Sequence, residues 1–321
     1  MISIIIPTYN RAHLISSTLE SILGQTYTHW ECLVIDDGST DATESLMAGY
    51  VARDARFQYH KRPIDRPKGA NACRNYGFEL STGEYVNWFD SDDIMLPNKL
   101  ELQYHALKLH PQAPYCICQT TCYDLLEDRV LGFRSKLISS ENRFEDYICY
   151  RIFWLTTAPV WRKSFLNTYS LKFDETLHQS QEYDFHIRAL AINSDYIALD
   201  KPLVEMVRHE GNLSNNWMDS EDKVMSNILV KYGVLQKYGS KLSHTTKLKL
   251  IEMITLIYKD LLLKKNLHIA GLVRPYLVSS LHYGSISLLK RLSFLTKVYG
   301  IFWSYRIFGK GYQLLKPLDV S

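Results

Sequence analysis

The chain has 321 residues, of which 46% are hydrophobic, and its 37 Lys and Arg nearly balance 34 Asp and Glu. This length supports a full hydrophobic core and more than one substructure. The six scattered cysteines lack the spacing of a disulfide scaffold or a zinc site, which indicates reduced thiols. No apolar run reaches the roughly 18 residues of a transmembrane helix, and an apolar strand-like run starts at Ile2, so we expect no signal peptide.

The first fifty residues repeat one pattern. An apolar run at residues 2–6 stops at Pro7 before TYNR, and a second run at residues 31–35 ends in the acidic turn DDGSTD. The pattern predicts strand, turn and helix repeated in a parallel sheet with right-handed crossovers. The residues with helical spacing that follow the two runs are Leu14, Thr18, Leu19 and Ile22, then Thr43, Leu46, Met47, Tyr50 and Val51.

A third apolar run, at residues 83–89, leads into three carboxylates, Asp90, Asp92 and Asp93. Like charges crowded at a strand end are unfavourable unless a cation lies nearby, and hard divalent cations prefer oxygen ligands. Because ligands bind beyond the carboxyl ends of parallel strands, a metal held here would be placed to bind a diphosphate. The alternative is a loop of solvated acids before a helix that Asp93 or Asn98 caps. The convergence of three polar turns at one sheet edge favours a ligand site.

The middle of the chain adds two predicted strands, at residues 115–120 and 158–161, which would complete the sheet. The basic segments at residues 61–63 and 66–68 are interpreted as a solvated loop. Three tryptophans suit either a sugar-binding cleft, where sugar faces stack on aromatic rings, or the core: Trp154, Trp161 and Trp217.

The C-terminal third is basic. Residues 221–321 carry 16 Lys and Arg and 5 Asp and Glu, a net charge of +11, whereas residues 1–220 carry −8. Helical apolar spacing at residues 248–257 and 288–298 predicts amphipathic helices, separated near Gly271 and Gly284. Two interpretations stay open, a surface that binds an anionic membrane and an appendage that packs on the preceding domain. No base-stacking or groove-reading motif accompanies the charge, so no nucleic-acid partner is expected.

Taken in chain order, five segments resemble the GT-A glycosyltransferases of family 2, over residues 1 to about 215. The resemblance implies an α/β fold of the GT-A (Rossmann-like) type, with a mixed, mostly parallel sheet flanked by helices and a C-terminal helical region. We therefore expect a nucleotide-sugar-binding half at 1–105, an acceptor-binding half at 106–215 and a helical region at 216–321. The five segments are IIIPTYNR (4–11), VIDDGSTD (34–41), GANACRN (69–75), GEYVNWFDSDD (83–93) and QEYDFHIR (181–188).

The resemblance also implies a nucleotide site. In the family, the acid matching Asp37 holds the uracil of the donor, and the arginine matching Arg74 lies beside the nucleotide. Asp90, with Ser91, matches the region of the donor ribose and metal. Ordinary turn chemistry is the alternative for the acids of the DDGSTD segment. The loop at the first strand end would lie under the base and ribose and near the phosphates through Pro7, Thr8, Tyr9 and Arg11.

A divalent cation, Mn²⁺ or Mg²⁺, is the implied cofactor. Asp92 is the expected direct ligand, and Asp93 is the alternative. The segment VRHEGNLS at residues 207–214 resembles the closing motif of the family. Its His209 suits either ligation of the metal or donation to the diphosphate.

The resemblance places the catalytic base in the QEYDFHIR segment, at Glu182, with Asp184 as the second candidate. The family more often has Asp at the position of Glu182, and Gln181 replaces its usual first acid. A base here would take the proton of the acceptor hydroxyl as the oxygen attacks the anomeric carbon. The helical spacing of the segment also suits acids of a first helical turn, favoured by the helix dipole.

Together these expectations describe an inverting, metal-dependent glycosyltransferase of the hexosyl or N-acetylhexosaminyl class. The donor would be a nucleotide sugar, a UDP-sugar, and the acceptor a hydroxyl of a glycan or lipid-linked acceptor in surface polysaccharide synthesis. We expect a cytoplasmic protein, peripheral on the inner face of the membrane if the basic helices bind it. The alternatives are a nucleotidyltransferase, which should open with a glycine-rich loop and a lysine instead of TYNR, and a non-catalytic sugar-binding relative.

Overall fold

A computed structural model describes residues 1–209, 211 and 217–309 of the chain. The chain divides into two compact units, one of residues 1–176 and 184–212 and one of residues 177–183 and 213–321. The domain boundary expected at 215/216 lies outside the described residues, as do residues 210 and 212–214 of the closing motif.

The described part of the first unit contains one mixed sheet of nine strands. Its order is β3-β2-β1-β4-β8-β6-β9-β5, with β7 paired to β6. The four strands β1 to β4 are mutually parallel, whereas β8 runs antiparallel to both β4 and β6. The strands are β1 Ile2–Thr8, β2 Trp30–Asp36, β3 Phe57–Lys61, β4 Tyr85–Trp88, β5 Ile94–Met95, β6 Tyr115–Asp124, β7 Arg129–Phe133, β8 Val160–Arg162 and β9 Ile197–Arg208.

Helices connect these strands and form most of the second unit. A 3-10 turn at Trp217–Asp219 precedes α8. The helices are α1 Ile15–Leu23, α2 Thr43–Arg53, α3 Ala70–Leu80, α4 Lys99–Leu109, α5 Arg143–Ile148, α6 Lys163–Thr168, α7 Gln181–Ile192, α8 Glu221–Tyr238, α9 His244–Leu263, α10 Leu267–Ser280 and α11 Leu288–Phe308.

The sheet confirms the strand–turn–helix pattern of the sequence. β1 and β2 are buried along their whole length, because central parallel strands are covered on both faces and therefore read as continuous apolar runs. Thr18, Leu19 and Ile22 of α1 are buried, whereas Leu14 lies just before the helix and is half-buried. Thr43 and Met47 of α2 are also buried. Strand β3 is not predicted from the sequence, because its residues, FQYHK, form no apolar run.

Two of the three tryptophans considered for a sugar cleft belong to the core of the first unit. Trp154 and Trp161 are almost fully buried. Trp161 contacts Tyr115 at 4.1 Å and Phe185 at 5.4 Å between ring centroids. The packing interpretation is therefore right for these two residues, and a place in a sugar cleft is wrong. Trp217 lies half-exposed in the second unit. All six cysteines are buried free thiols, as expected.

The second unit is built from capped helices. Four side chains accept a backbone N–H three residues on and mark the helix starts: Ser220, Ser243, Asn266 and Ser287. The predicted break near Gly284 is correct, but the one near Gly271 is wrong. Gly271 lies inside α10, since the Asn266 cap starts that helix earlier and an interior glycine costs a helix only about 1 kcal/mol. No helix among the described residues combines the length and apolar character needed to cross a bilayer.

The packing of α3 on β1 and β2 can be tested at Gly77. A Cβ there would lie 2.4 Å from Ile5 Cγ2 and 3.0 Å from Ile35 Cγ1, so Gly77→Ala should destabilise the fold by ~1–3 kcal/mol. Gly49, inside α2, has open space around its Cβ position, so Gly49→Ala should stabilise by about 0.5–1 kcal/mol. Urea denaturation of both variants measures the difference. Equal midpoints would contradict the close helix–sheet contact.

Candidate active site at the strand ends

The polar ends of three strands meet at one edge of the sheet. Thr8, the last residue of β1, pairs in register with Asp36, the last residue of β2. β4 pairs with β1 only as far as Trp88 opposite Ile5, and the Phe89 N–H then donates to the Ile5 carbonyl at 2.9 Å. The acidic segment 90–93 therefore continues beside the end of β1, as the convergence of the three turns predicts.

The loops after β1 and β2 are bound to each other through Asn10. This residue takes a left-handed conformation, with φ of 52°. Its Oδ1 accepts the Thr40 N–H at 2.8 Å, and its own N–H donates to Ser39 Oγ at 2.8 Å. The Asp37 N–H also donates to the Thr8 carbonyl at 2.9 Å. These hydrogen bonds join the two loops into one surface at the strand ends, on which Tyr9 is about half exposed.

Asp37 is held in place by an arginine that the sequence analysis interpreted as solvated. Arg62 Nε donates to Asp37 Oδ1 at 2.5 Å, and the Arg62 side chain is only 8% exposed. The other carboxylate oxygen accepts the Gly69 N–H at 2.9 Å. Gly69 precedes α3 with φ of +134°, a conformation that favours glycine. The solvated-loop interpretation of residues 61–63 is therefore wrong at Arg62.

Arg74 of α3 lies against the acidic segment. Its Nη2 donates to Asp90 Oδ1 at 2.8 Å and its Nη1 to Asn71 Oδ1 at 3.1 Å, with the Arg74 side chain only 6% exposed. Arg74 Nε and Thr8 Oγ1 are buried without a hydrogen-bond partner among the described residues. Buried polar atoms are usually satisfied, so such atoms at a strand end are consistent with a ligand or water that completes the site.

Asp92 lies at the centre of a second group of contacts. His209 Nε2 lies 3.0 Å from Asp92 Oδ2, and both side chains are largely buried. The Gly211 N–H donates to His209 Nδ1 at 3.1 Å, so the proton of a neutral imidazole is on Nε2 and faces Asp92. Arg11 Nη2 donates to the Gly211 carbonyl at 3.2 Å. Burial raises the pKa of Asp92, and the negative charge of Asp90 adds to the rise.

The other two residues of the acidic segment turn inward. Asp93 is almost fully buried, and its Oδ1 accepts the Val207 N–H of β9 at 3.2 Å. Ser91 is also buried. Asp93 thus joins the end of β4 to β9, whereas Asp92 and Asp90 retain side-chain exposures of 15% and 34%. This difference favours Asp92 over Asp93 as the metal ligand.

A divalent cation fits the donor set around Asp92. The described residues contain no group of three or more His, Cys, Asp and Glu side chains able to hold a metal ion by themselves. Mg²⁺ commonly binds through one or two carboxylates and completes its shell with substrate phosphates and water. Asp92, with the second charge of Asp90 nearby, matches that mode. Ligation through His209 Nε2 would require that atom to lose the proton that faces Asp92.

The predicted base segment lies at the start of α7. Glu182 is half-buried and belongs to the second unit, whereas the other predicted site residues lie in the first. Asp184 Oδ2 forms an ion pair with Arg188 Nη2 at 2.6 Å, one helical turn on. The pairing makes Asp184 the weaker candidate for a base, because its Oδ2 already accepts hydrogen bonds from the Arg188 guanidinium.

Within the second unit, α8 contacts residues 177–183, the segment that contains the predicted base Glu182. The His178 N–H donates to Ser226 Oγ at 3.0 Å. Lys231 Nζ donates to Asn227 Oδ1 and lies 5.2 Å from the centre of the Tyr183 ring. Burial lowers the pKa of Lys231 to about 7. No sequence pattern pointed to this lysine, because a lysine on a helix is normally solvated.

Comparison with known proteins agrees with the expected family and fold. The family model of glycosyl transferase family 2 matches residues 3–166. An uncharacterised glycosyltransferase of Rickettsia typhi is 27% identical over 241 residues, which cover 72% of each chain.

Two further proteins give more specific comparisons. The UDP-Glc:alpha-D-GlcNAc-diphosphoundecaprenol beta-1,3-glucosyltransferase WfgD of Escherichia coli is 40% identical over 103 residues. That match covers 32% of this chain and only 39% of WfgD. S. aureus TarS, solved with UDP-GlcNAc, superposes with a TM-score of 0.68 at 20% identity, over 98% of this chain and 88% of that chain. The likeness to TarS confirms the GT-A fold.

The raised pKa of Asp92 predicts a stability effect of Asp92→Asn. The folded protein holds this proton to higher pH than the unfolded chain, so the stability contribution of Asp92 falls as pH rises through its native pKa. At neutral pH, with a chelator present, Asp92→Asn should therefore unfold at a higher temperature than the wild type. In acid the difference should vanish, because Asp92 is then protonated.

Asp54→Asn is the matched control with the opposite sign. The side-chain hydrogen bond of Arg56 lowers the pKa of Asp54. The stability contribution of Asp54 is therefore present at neutral pH, so this variant should unfold at a lower temperature there. Thermal unfolding at two pH values measures both effects. A lower unfolding temperature for Asp92→Asn at neutral pH would contradict the electrostatic account of the site.

Proposed function

This chain belongs to glycosyl transferase family 2, and we propose that it is an inverting, metal-dependent enzyme that uses a UDP-sugar donor. The arrangement of Arg74, Asp90, Asp92 and His209 at the strand ends carries the proposal. It combines carboxylates for a cation with nitrogen donors for a diphosphate. Binding of UDP-GlcNAc by TarS, and the UDP-Glc in the name of WfgD, support UDP as the donor nucleotide.

The donor would bind across the three strand ends. Asp37, oriented by Arg62 and the Gly69 N–H, would accept the N–H edge of the uracil. Arg74 and Arg11 would face the ribose and phosphate region. His209, which carries its proton on Nε2, can donate to a diphosphate oxygen as well as to Asp92. A cation bound at Asp92, Mn²⁺ or Mg²⁺, would stabilise negative charge on the departing nucleotide.

The transfer needs a general base on the acceptor side, and we assign this role to Glu182. The Glu182 carboxylate takes the proton of the acceptor hydroxyl, and the acceptor oxygen forms a bond to the anomeric carbon. The bond from that carbon to the diphosphate breaks, and UDP leaves with the electron pair. Attack from the face opposite the leaving group inverts the anomeric configuration. Asp184 is the second candidate.

The acceptor is proposed to be a glycan or a lipid-linked sugar of surface polysaccharide synthesis. The name of WfgD, which acts on a sugar attached to diphosphoundecaprenol, supports this class of acceptor. An acceptor of this kind is held at the membrane. The proposal therefore includes peripheral attachment of a cytoplasmic enzyme to the inner face of the membrane.

Nucleotide titration tests the donor and the metal together. UDP should bind with measurable heat in the presence of Mn²⁺ and more weakly with a chelator, and GDP and dTDP should bind more weakly than UDP. Asp92→Asn should lower the Mn²⁺-dependent affinity by about tenfold or more, because a carboxylate ligand is lost. Asp54→Asn, remote from the strand ends, is the control and should bind as the wild type does. Equal binding by both variants would exclude Asp92 as the metal ligand.

Two isosteric variants test the base. Glu182→Gln should lower the turnover rate by about 10²–10⁴-fold, because a general base contributes that much, and UDP binding should persist. Asp184→Asn should lower turnover less. Release of UDP from UDP-Glc and UDP-GlcNAc, with a polyprenyl-diphosphate-linked N-acetylglucosamine as acceptor, measures the rates.

The relative size of the two losses decides the assignment. A larger loss in Asp184→Asn would transfer the role to Asp184. Wild-type protein that binds UDP but turns over none of the tested donors would favour the non-catalytic sugar-binding alternative.

A further inference from the structure

Helix α11 has two apolar faces, of which only one is covered. One face packs inside the second unit, where the Tyr258 hydroxyl donates to the Val298 carbonyl at 3.1 Å and the Arg274 guanidinium lies 4.3 Å from the Phe302 ring centre. The buried residues of this face are Phe294, Val298, Ile301, Phe302 and Tyr305. A surface helix of a soluble protein normally carries polar residues on its other face.

The opposite face of α11 carries an exposed apolar stripe. Its residues follow one another at intervals of three, seven, four and four, so they share one side of the helix. Their exposed fractions run from 43% to 81%. We call them the outer stripe: Leu289, Leu292, Tyr299, Trp303 and Ile307. A contiguous exposed apolar surface of this kind usually marks an interaction site.

The charged residues of α11 are all cations. The sequence of α11, LLKRLSFLTKVYGIFWSYRIF, contains four Lys and Arg and no Asp or Glu. Lys290 and Lys297 fall on one flank of the stripe and Arg306 on the other, and all three are exposed. Arg306 also lies 5.1 Å from the Trp303 ring centre. The helix thus presents apolar residues between two lysines on one flank and one arginine on the other.

We propose that the outer stripe of α11 docks on an anionic membrane surface. The proposal rests on the peripheral attachment included in the proposed function and assigns the surface responsible. Helices that lie in the membrane interface bury one apolar face among the acyl chains and place Lys and Arg at the anionic headgroups. Trp and Tyr rings suit the boundary between the two regions.

The charge distribution favours a membrane over a second copy of the chain. Two outer stripes packed together would bring their flanking lysines and arginines close, and α11 has no acid to pair with them. An anionic lipid surface supplies the opposite charge along the whole helix. The other C-terminal apolar segment, in α9, has no comparable stripe: Leu250, Ile251, Ile254 and Ile257 are buried, and Leu256 is 40% exposed.

Vesicle co-sedimentation tests the proposal without any donor or acceptor. Wild-type protein should sediment with vesicles of phosphatidylcholine mixed with phosphatidylglycerol, and about tenfold less with phosphatidylcholine alone. The stripe variant, Leu289→Ser with Leu292→Ser, Trp303→Ser and Ile307→Ser, should lose about tenfold or more of that binding. Because these side chains are exposed, the variant should keep its fold and its UDP affinity, which circular dichroism and titration check.

A matched control carries four serine substitutions at exposed apolar residues of the first unit: Ile64, Leu109, Leu126 and Val130. This control should bind vesicles as the wild type does. Lys290→Gln with Lys297→Gln should weaken binding only to the anionic vesicles. A shift of tryptophan emission to shorter wavelength on binding should be lost in Trp303→Phe, although that variant should still sediment.

Two results would overturn the proposal. One is wild-type protein that does not sediment with anionic vesicles, and the other is a stripe variant that binds them as well as the wild type. If vesicles do not bind and light scattering shows a dimer that the stripe variant lacks, the outer stripe is an interface between copies. Since UDP binding is measured separately, loss of membrane binding and failure of the proposed reaction are distinguishable.

Discussion

The crowding of carboxylates at one edge of a parallel sheet is the constraint on which the site depends. Asp37 and Asp90 follow different strands, and each is paired with a largely buried arginine. Among the described residues, Asp92 has the His209 imidazole as its hydrogen-bond partner, and burial and the charge of Asp90 raise its pKa. Unlike Asp37 and Asp90, Asp92 forms no ion pair with an arginine in the described part of the chain, so a cation bound beside it would stabilise its charge.

Acidic side chains have different partners at the two ends of these strands. At the start of β1 and β2, Glu31 accepts hydrogen bonds from the Ser3 hydroxyl at 2.6 Å and from the Thr82 N–H at 2.6 Å. These neutral donors satisfy the carboxylate inside the fold and join the chain before β4 to β1. At the far end, Arg74 Nε and Thr8 Oγ1 remain without partners among the described residues. One end satisfies its buried acid with neutral donors, whereas the other end pairs Asp37 and Asp90 with arginines.

The helical unit contributes two different kinds of surface. Through Ser226 and Lys231, α8 contacts residues 177–183, the segment that contains the proposed base Glu182. The outer stripe of α11 is instead exposed, although its Tyr299 ring also lies 5.0 Å from the Arg274 guanidinium of α10. Because the same unit carries both features, attachment to a membrane and positioning of the base segment would depend on one packed set of helices.

The sequence by itself determined the strand–turn–helix order, the acidic strand ends and the family, because these depend on short-range periodicity and on residues close together in the chain. It also predicted which strand ends meet, since parallel strands place their carboxyl ends on one edge. Tertiary structure decided what those residues contact. The sequence suggests a solvated Arg62, but the fold brings this residue to Asp37. The contact of Asp93 with the Val207 N–H of β9 likewise depends on the fold. The burial of Lys231 and the division of α11 into a buried and an exposed face also follow only from packing, because burial depends on neighbours far away in sequence.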